Sequence, residues 1–305
     1  MNQNLAQQIS WYLELDMQEK TLSPHTIKAY RIDLRQFLLF ADGKAVNKDL
    51  LSQYIKYLNA HFSPRTAKRK IASVRAFFQE LVFNEQINCN PFDKLRVRIH
   101  TPKNLPRIIP ENIIHALLKE AYNAYNPNKP LGLRDIIVFE LLFNTGARVS
   151  ELCELTLETF QLNEYRLQLI IRGKGDKERV LELTSPELLR LVNLYCSVFS
   201  EQIHQHNRIL INNHGTPLTP QSVRRIIKKH AATIDVSLSL TPHMFRHTFA
   251  TSLLNEGVDI RYIQALLGHS SISTTQIYTY VTTRQQAIIL SEKHPRNKMT
   301  FSLDD

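Results

Sequence analysis

Glycine is scarce, 8 residues in a chain of 305. None of them forms the GxGxxG or GxxxxGK[ST] loops that cradle nucleotide phosphates, so no nucleotide phosphate loop is expected. Cysteine is scarcer still. Cys89, Cys153 and Cys196 are far apart and odd in number, so neither a disulfide framework nor a CxxC metal site is expected, and a reducing cytoplasm fits best. No run approaches the roughly 18 to 20 apolar residues of a membrane span. The opening stretch MNQNLAQQISWYLELDMQEK mixes acids into its apolar positions and lacks a signal-peptide core.

What is present is helix-forming and basic. Hydrophobic residues make up 43% and charged residues 22%, the composition of a globular protein. Lys and Arg number 38 against 28 Asp and Glu, a formal net charge of +10, which points to nucleic acid or an anionic surface as partner. The charge is uneven. Residues 1–105 carry 16 basic and 9 acidic side chains, +7, and the remainder 22 and 19, +3. Between the two parts, residues 88–110 hold Pro91, Pro102, Pro106 and Pro110 with Arg96, Arg98, Lys103 and Arg107 among them. Prolines at that density stop helices and stiffen a linker. The expected domains are therefore 1–105 and 106–305, with a C-terminal tail at 284–305.

Helical spacing predicts four helices in the first part: 2–19, one opening at Ser23-Pro24 and closing at Asp42-Gly43, 48–59, and one opening at Ser63-Pro64. The fourth begins SPRTAKRKIASVR. Its Arg65, Lys68, Arg69, Lys70 and Arg75 have no acid among them from Pro64 to Gln79. Such a face either meets solvent or relieves its self-repulsion on a duplex backbone. In the second part, helices are expected near 111–124, 131–144, 186–200, 220–232, 242–256, 259–267 and 272–280. The stretch YRLQLIIRGKGDKERVLEL reads as a β-hairpin turning at Gly173-Lys174-Gly175-Asp176, with a short strand at 208–211 as a candidate neighbour. The helix opening at Thr219-Pro220 carries a second basic stripe, Arg224, Arg225, Lys228 and Lys229.

Four segments stand apart: TGARVSELCELT with Arg148, IRGKGDKER with Lys174, HMFRHTFAT with His243 and Arg246 three apart on one helical face, and LLGHSSISTTQIYTYV, where Tyr278 follows His269 by nine residues. His243 and His247 also have zinc-ligand spacing, but the Glu of HExxH is missing and no third ligand is evident. Each segment alone is weak. Together, in this order and spacing, they resemble the tyrosine recombinase (phage-integrase type) family, and in wording most resemble its Xer-like dimer resolvases.

That resemblance spans nearly the whole chain and implies the architecture. The fold would be mainly α with a small β-hairpin or sheet: an N-terminal four-helix SAM-like core-binding domain and a C-terminal α+β catalytic domain. It further implies that Arg148, Lys174, His243, Arg246, His269 and Tyr278 are the catalytic set and that Glu151 supports it. Tyr280, two positions on, would point roughly 200° away from Tyr278 on a helix, so both cannot serve one phosphate. The implied reaction exchanges DNA strands through a 3′-phosphotyrosyl link, leaving a free 5′ hydroxyl and needing neither metal nor ATP, hence no cofactor. The implied partners are double-stranded DNA with an inverted-repeat core site, a homo- or hetero-tetramer of recombinases on two such sites, and accessory DNA-binding proteins.

The residue types suit such chemistry. Arginines offer forked donors to the non-bridging oxygens of a phosphodiester and never deprotonate at working pH. A tyrosine is a weak nucleophile at its ordinary pKa near 10 and needs cations and a proton acceptor beside it. His243 or His269 could take that proton, and Lys174 could supply one to the leaving 5′ oxygen. The helices from Ser63 and Thr219 are the candidates for groove contact. Two other activities remain open on the sequence: a DNA-binding accessory protein that does not cleave, and a relaxing enzyme of type IB topoisomerase kind. Within the recombinase reading, dimer or cointegrate resolution and transposon or phage integration both remain open.

Overall fold

In a computed structural model of the chain, residues 2–19, 24–99, 107–173, 178–234 and 238–268 are described. They form two compact units, Met1–Lys103 and Asn104–Asp305.

The first unit holds α1 (Asn2–Glu19), α2 (Pro24–Ala41), α3 (Lys48–His61) and α4 (Pro64–Phe83). Their starts follow local chemistry. Asn47 Oδ1 accepts the Leu50 N–H at 2.9 Å to open α3, and Ser63 Oγ accepts that of Thr66 before Pro64 at the first turn of α4. The apolar faces close on Leu34, Phe37, Leu51, Tyr54, Leu58, Val74, Phe77 and Leu81, all fully buried. Phe37 meets the Tyr54 ring edge-on at 5.0 Å.

Polar groups also enter this interior. Asp33 of α2 is fully buried and accepts from Arg69, from Lys70 Nζ at 2.9 Å and from Ser73 Oγ at 2.8 Å. Lys70 also donates to Gln36 and lies 5.0 Å from the Phe62 ring centre. The basic face expected on α4 is therefore smaller than its sequence suggests. Lys70 is 3% exposed and belongs to the core, while Arg65, Lys68, Arg69 and Arg75 remain on the surface. The acid that balances Lys70 sits 37 residues earlier, on another helix, where no local pattern could reveal it.

The second unit is built around α6 (Leu131–Thr145), whose sequence LGLRDIIVFELLFNT buries ten residues and leaves only a narrow polar edge at Glu140 and Asn144. Around it lie α5 (Glu111–Asn123), α7 (Val149–Cys153), α8 (Pro186–Val198), α9 (Ser200–His206), α10 (Pro220–Thr233), α11 (Pro242–Asn255) and α12 (Ile260–Leu267). β1 (Phe160–Leu162), β2 (Leu167–Arg172) and β3 (Glu178–Leu183) form an antiparallel sheet in the order β1-β2-β3. The hairpin register runs from Leu167 opposite Leu183 to Arg172 opposite Glu178. Leu167, Leu169 and Ile171 alternate inward along β2.

Two expectations change, and one element was not foreseen. Residues 208–211 do not join the hairpin. β1 takes that edge, and Ile211 forms an isolated bridge with Pro217 instead. The helix expected over 186–200 ends at Val198, and Ser200 begins α9 after Phe199. The five-residue α7 is too short for periodicity to reveal. The expected helix at 272–280, the hairpin turn at 174–177 and the tail at 284–305 lie outside the described residues. Among the described residues no helix is long and apolar enough to cross a membrane.

Candidate active site

The site is assembled where α6 ends. Gly146 turns the chain out of α6 with φ +56°, and a Cβ there would lie 2.4 Å from the Phe249 ring of α11. Both facts favour glycine. Two residues on, Arg148 is extended, with φ −67° and ψ 144°, and stands at the N-terminus of α7. Glu151, one turn into α7, reaches back. Its Oε2 accepts the Arg148 backbone N–H at 2.8 Å and its Oε1 the Arg148 guanidinium at 2.6 Å. The buried carboxylate thus holds both the main chain and the side chain of Arg148. Burial alone would raise the Glu151 carboxyl, but hydrogen bonds from Arg179 and Arg148 outweigh it and hold the pKa below the usual carboxylate range. Arg148 itself keeps 38% of its side chain exposed, so part of its fork remains open to a ligand.

α11 supplies the next pair. Arg246 is 5% exposed and donates from Nη1 to the Gly146 carbonyl at 2.8 Å and from Nη2 to the Leu267 carbonyl at 2.7 Å. It therefore ties the loop that carries Arg148 to the last turn of α12. A cation is also favoured at the C-terminal, electronegative end of a helix. His243, one turn earlier on α11, is exposed. Partial desolvation and the charges of Arg246, Arg224 and Arg148 hold its pKa below the ordinary histidine value. It is thus neutral at pH 7 and able to accept a proton. His247, one turn further, is held down in the same direction by desolvation, His243 and Arg246.

Of the six residues predicted to do chemistry, Arg148, His243 and Arg246 are brought into this one neighbourhood, with Glu151 beneath. Lys174, His269 and Tyr278 lie outside the described residues, as does Tyr280. On α10, which packs against α7 and α11, Arg224, Arg225, Lys228 and Lys229 all face outward. Arg224 is close enough to act on His243. Lys229 Nζ reaches the Asp135 carboxylate at 3.1 Å and remains 68% exposed. The inward residues of α10 are Val223, Ile226, Ile227, His230 and Ala231.

One participant escaped sequence reading. Arg179 of β3 donates to both Glu151 oxygens, at 2.6 and 3.3 Å. It falls inside the IRGKGDKER segment, and the available signal was its phase. Arg179 shares the inward side of β3 with Leu181 and Leu183, where a charged residue needs a partner.

An all-helical unit followed by a helical unit with a three-stranded sheet, and two arginines tethered at the end of α6, form the arrangement that the sequence resemblance implied for a DNA strand-transfer protein. Residues 108–285 match the model of the phage integrase family, and residues 9–85 that of the phage integrase N-terminal SAM-like domain. The chain is 43% identical over 306 residues to a tyrosine recombinase of Agathobacter rectalis, covering 98% of this chain and 99% of that one. It is 35% identical to the tyrosine recombinase XerD of Lacticaseibacillus casei, covering 91% and 95%. Its fold is similar to that of the XerH site-specific recombinase bound to a palindromic difH substrate, with TM-score 0.72 over 88% of this chain and 80% of that one at 22% identity. The chain belongs to the phage integrase family of tyrosine recombinases.

Proposed function

We propose that the chain cleaves and rejoins double-stranded DNA at an inverted-repeat core site with Tyr278 as nucleophile. It would work in the cytoplasm as a tetramer on two sites, resolving chromosome or plasmid dimers or mobile-element cointegrates. The observation that carries the proposal is the joint tethering of Arg148 and Arg246 at the end of α6, beside a neutral His243.

In this reading Arg148 and Arg246 bind the non-bridging oxygens of the scissile phosphate, where charge gathers during attack. Preorganised donors at that point are commonly the largest contribution to catalysis. The Tyr278 oxygen bonds to phosphorus and its proton passes to His243 or His269. The bond to the 5′ oxygen breaks, and Lys174 protonates that oxygen. One phosphoester replaces another, so the energy of the broken bond is kept for rejoining when a 5′ hydroxyl attacks in reverse. Arg65, Lys68, Arg69, Arg75, Arg224, Arg225, Lys228 and Lys229 would hold the duplex, mainly through phosphates. Support for the partner comes from relatives. The XerH structure holds its difH substrate, and the lambda integrase structures include a tetramer on a Holliday junction. Support for the compartment is the presence of three free cysteines.

The test is a nicked suicide substrate, on which cleavage becomes irreversible. Wild type should accumulate a covalent protein–DNA adduct without added metal or ATP. Tyr278→Phe should bind and trap none. Arg148→Lys should bind and lose cleavage by at least about 100-fold, since an ammonium cannot replace the fork. An adduct formed by Tyr278→Phe would move the nucleophile to another residue, with Tyr280 the first to substitute. Sequencing the DNA trapped by wild type in cells identifies the target.

A further inference from the structure

Arg179 makes a set of contacts that no catalytic role assigned so far requires. Its side chain is 9% exposed. Nη2 and Nη1 reach the two oxygens of Glu151 at 2.6 and 3.3 Å, and Nε donates to the Leu266 carbonyl at 2.8 Å. Close by, Gly268 has φ +65°, and a Cβ there would sit 2.9 Å from Arg179 Nη1. The glycine that ends α12 thus makes room for this guanidinium. Arg179 lies opposite Ile171 in the hairpin and five residues after Lys174 in the sequence. Leu266 and Gly268 immediately precede His269 in the chain. Glu151 in turn holds Arg148 by both main chain and side chain. One buried guanidinium therefore links the first residues of β3, the carboxylate under Arg148 and the end of α12.

We infer that Arg179 is a positioning residue for strand cleavage, fixing Glu151, and through it Arg148, relative to the hairpin and to the chain that leads to His269. This rests on the proposed recombinase reading. Arg179 would not touch DNA, because Nε, Nη1 and Nη2 all donate to protein acceptors and the Glu151 carboxylate already balances its charge. Removing it leaves Glu151 free to swing toward Arg148 alone and close the open part of its fork.

The test measures single-turnover cleavage of the suicide substrate at saturating DNA, with the dissociation constant measured separately. All rates are read well below each variant's melting temperature. Misplacement of a catalytic group by about 1 Å costs on the order of 100-fold. Arg179→Ala should therefore cleave about 100-fold more slowly while its dissociation constant stays within about twofold of wild type. Arg179→Lys keeps the charge but can satisfy only some of the acceptors, and should cleave about tenfold more slowly, between wild type and Arg179→Ala. Glu151→Gln should be slow as well, and the double variant no slower than the slower single one, because residues that act through one another are not additive.

The assignment falls if Arg179→Ala cleaves within about threefold of wild type, if affinity drops in step with rate, or if the two single losses multiply. Should Arg179→Ala not fold, Arg179→Lys carries the comparison, and a rate within about threefold of wild type overturns the assignment. If wild type traps no adduct, the recombinase reading fails and takes this inference with it. An adduct on wild type with unaltered Arg179 variants removes this inference alone.

Discussion

Lys68 and Lys70 lie two residues apart on α4 and have opposite fates. Lys68 is exposed, whereas Lys70 is enclosed with Asp33, Gln36 and the Phe62 ring. Removing one partner of a fully isolated buried ion pair costs about 3 to 5 kcal/mol, and the loss here is smaller because Asp33 keeps Arg69 and Ser73. Lys70→Met should therefore lower the melting temperature of the protein. In DNA binding by whatever protein remains folded, it should leave the slope of log K against log salt unchanged. Lys68→Ala should do the reverse, with stability nearly constant and the slope shallower by about 0.9, the loss of one phosphate contact. Thermal melts and a salt titration of both variants decide the matter. Equal salt slopes for Lys68→Ala and wild type would remove Lys68 from the DNA-facing set.

Among the elements, α10 is the clearest case of one helix with two jobs. Outward it shows Arg224, Arg225, Lys228 and Lys229. Inward, His230 is 1% exposed and wedged between two carboxylates, Glu120 of α5 at Nδ1 and Asp135 of α6 at Nε2, the latter at 3.0 Å. Arg134 and Lys229 also face Asp135, and the Phe139 ring packs on the imidazole. Burial alone would lower the His230 pKa, but hydrogen bonds and charges from Asp135 and Glu120 raise it above the ordinary value. A raised histidine pKa contributes stability that is complete below the unfolded value, about 6.5, and fades as pH climbs through the folded one. His230→Gln cannot titrate. Its deficit in melting temperature relative to wild type should be largest below the ordinary histidine value and shrink as pH rises above it. A deficit that grows with pH would mean the ring is not held protonated in the fold.

The same elements mark what the sequence could disclose. Helices with Ser-Pro, Thr-Pro or Pro-Glu starts and a regular apolar stripe, such as α4, α5 and α10, were legible to within a residue or two because cap chemistry and periodicity are local. The hairpin was legible from its β-branched alternation. α7 and β1 were not, being too short for a period to show. At the site, motif wording singled out Arg148, His243 and Arg246, which the fold brings into one neighbourhood. Arg179 and the burial of Lys70 were hidden, since each depends on a carboxylate that only tertiary packing brings near, Glu151 at 28 residues' distance and Asp33 at 37.

At the scale of the whole molecule, the two units have separate cores, one around Phe37, Tyr54 and Phe77 and one around α6. The basic surfaces proposed for the duplex are shared between them. Strand exchange on two sites needs more than one copy, and the apolar run Ala287, Ile288, Ile289, Leu290 in the tail suits packing into a neighbouring protomer. Deleting residues 284–305 should leave adduct formation on a single suicide site within a few-fold of wild type, and should abolish paired-site exchange and the higher-order complex in gel-shift and sizing experiments. Unchanged exchange by the truncated protein would place the tail's apolar run on its own unit.

The last turn of α12 gives the molecule a final property. Its Leu266 and Leu267 carbonyls are taken by two different guanidiniums, one from β3 and one from α11. Drawing that turn aside would break both bonds together, loosening Glu151 on one flank and the Gly146 loop on the other. One turn of α12 thus couples the two flanks of the site, and a displacement there would reach both at once.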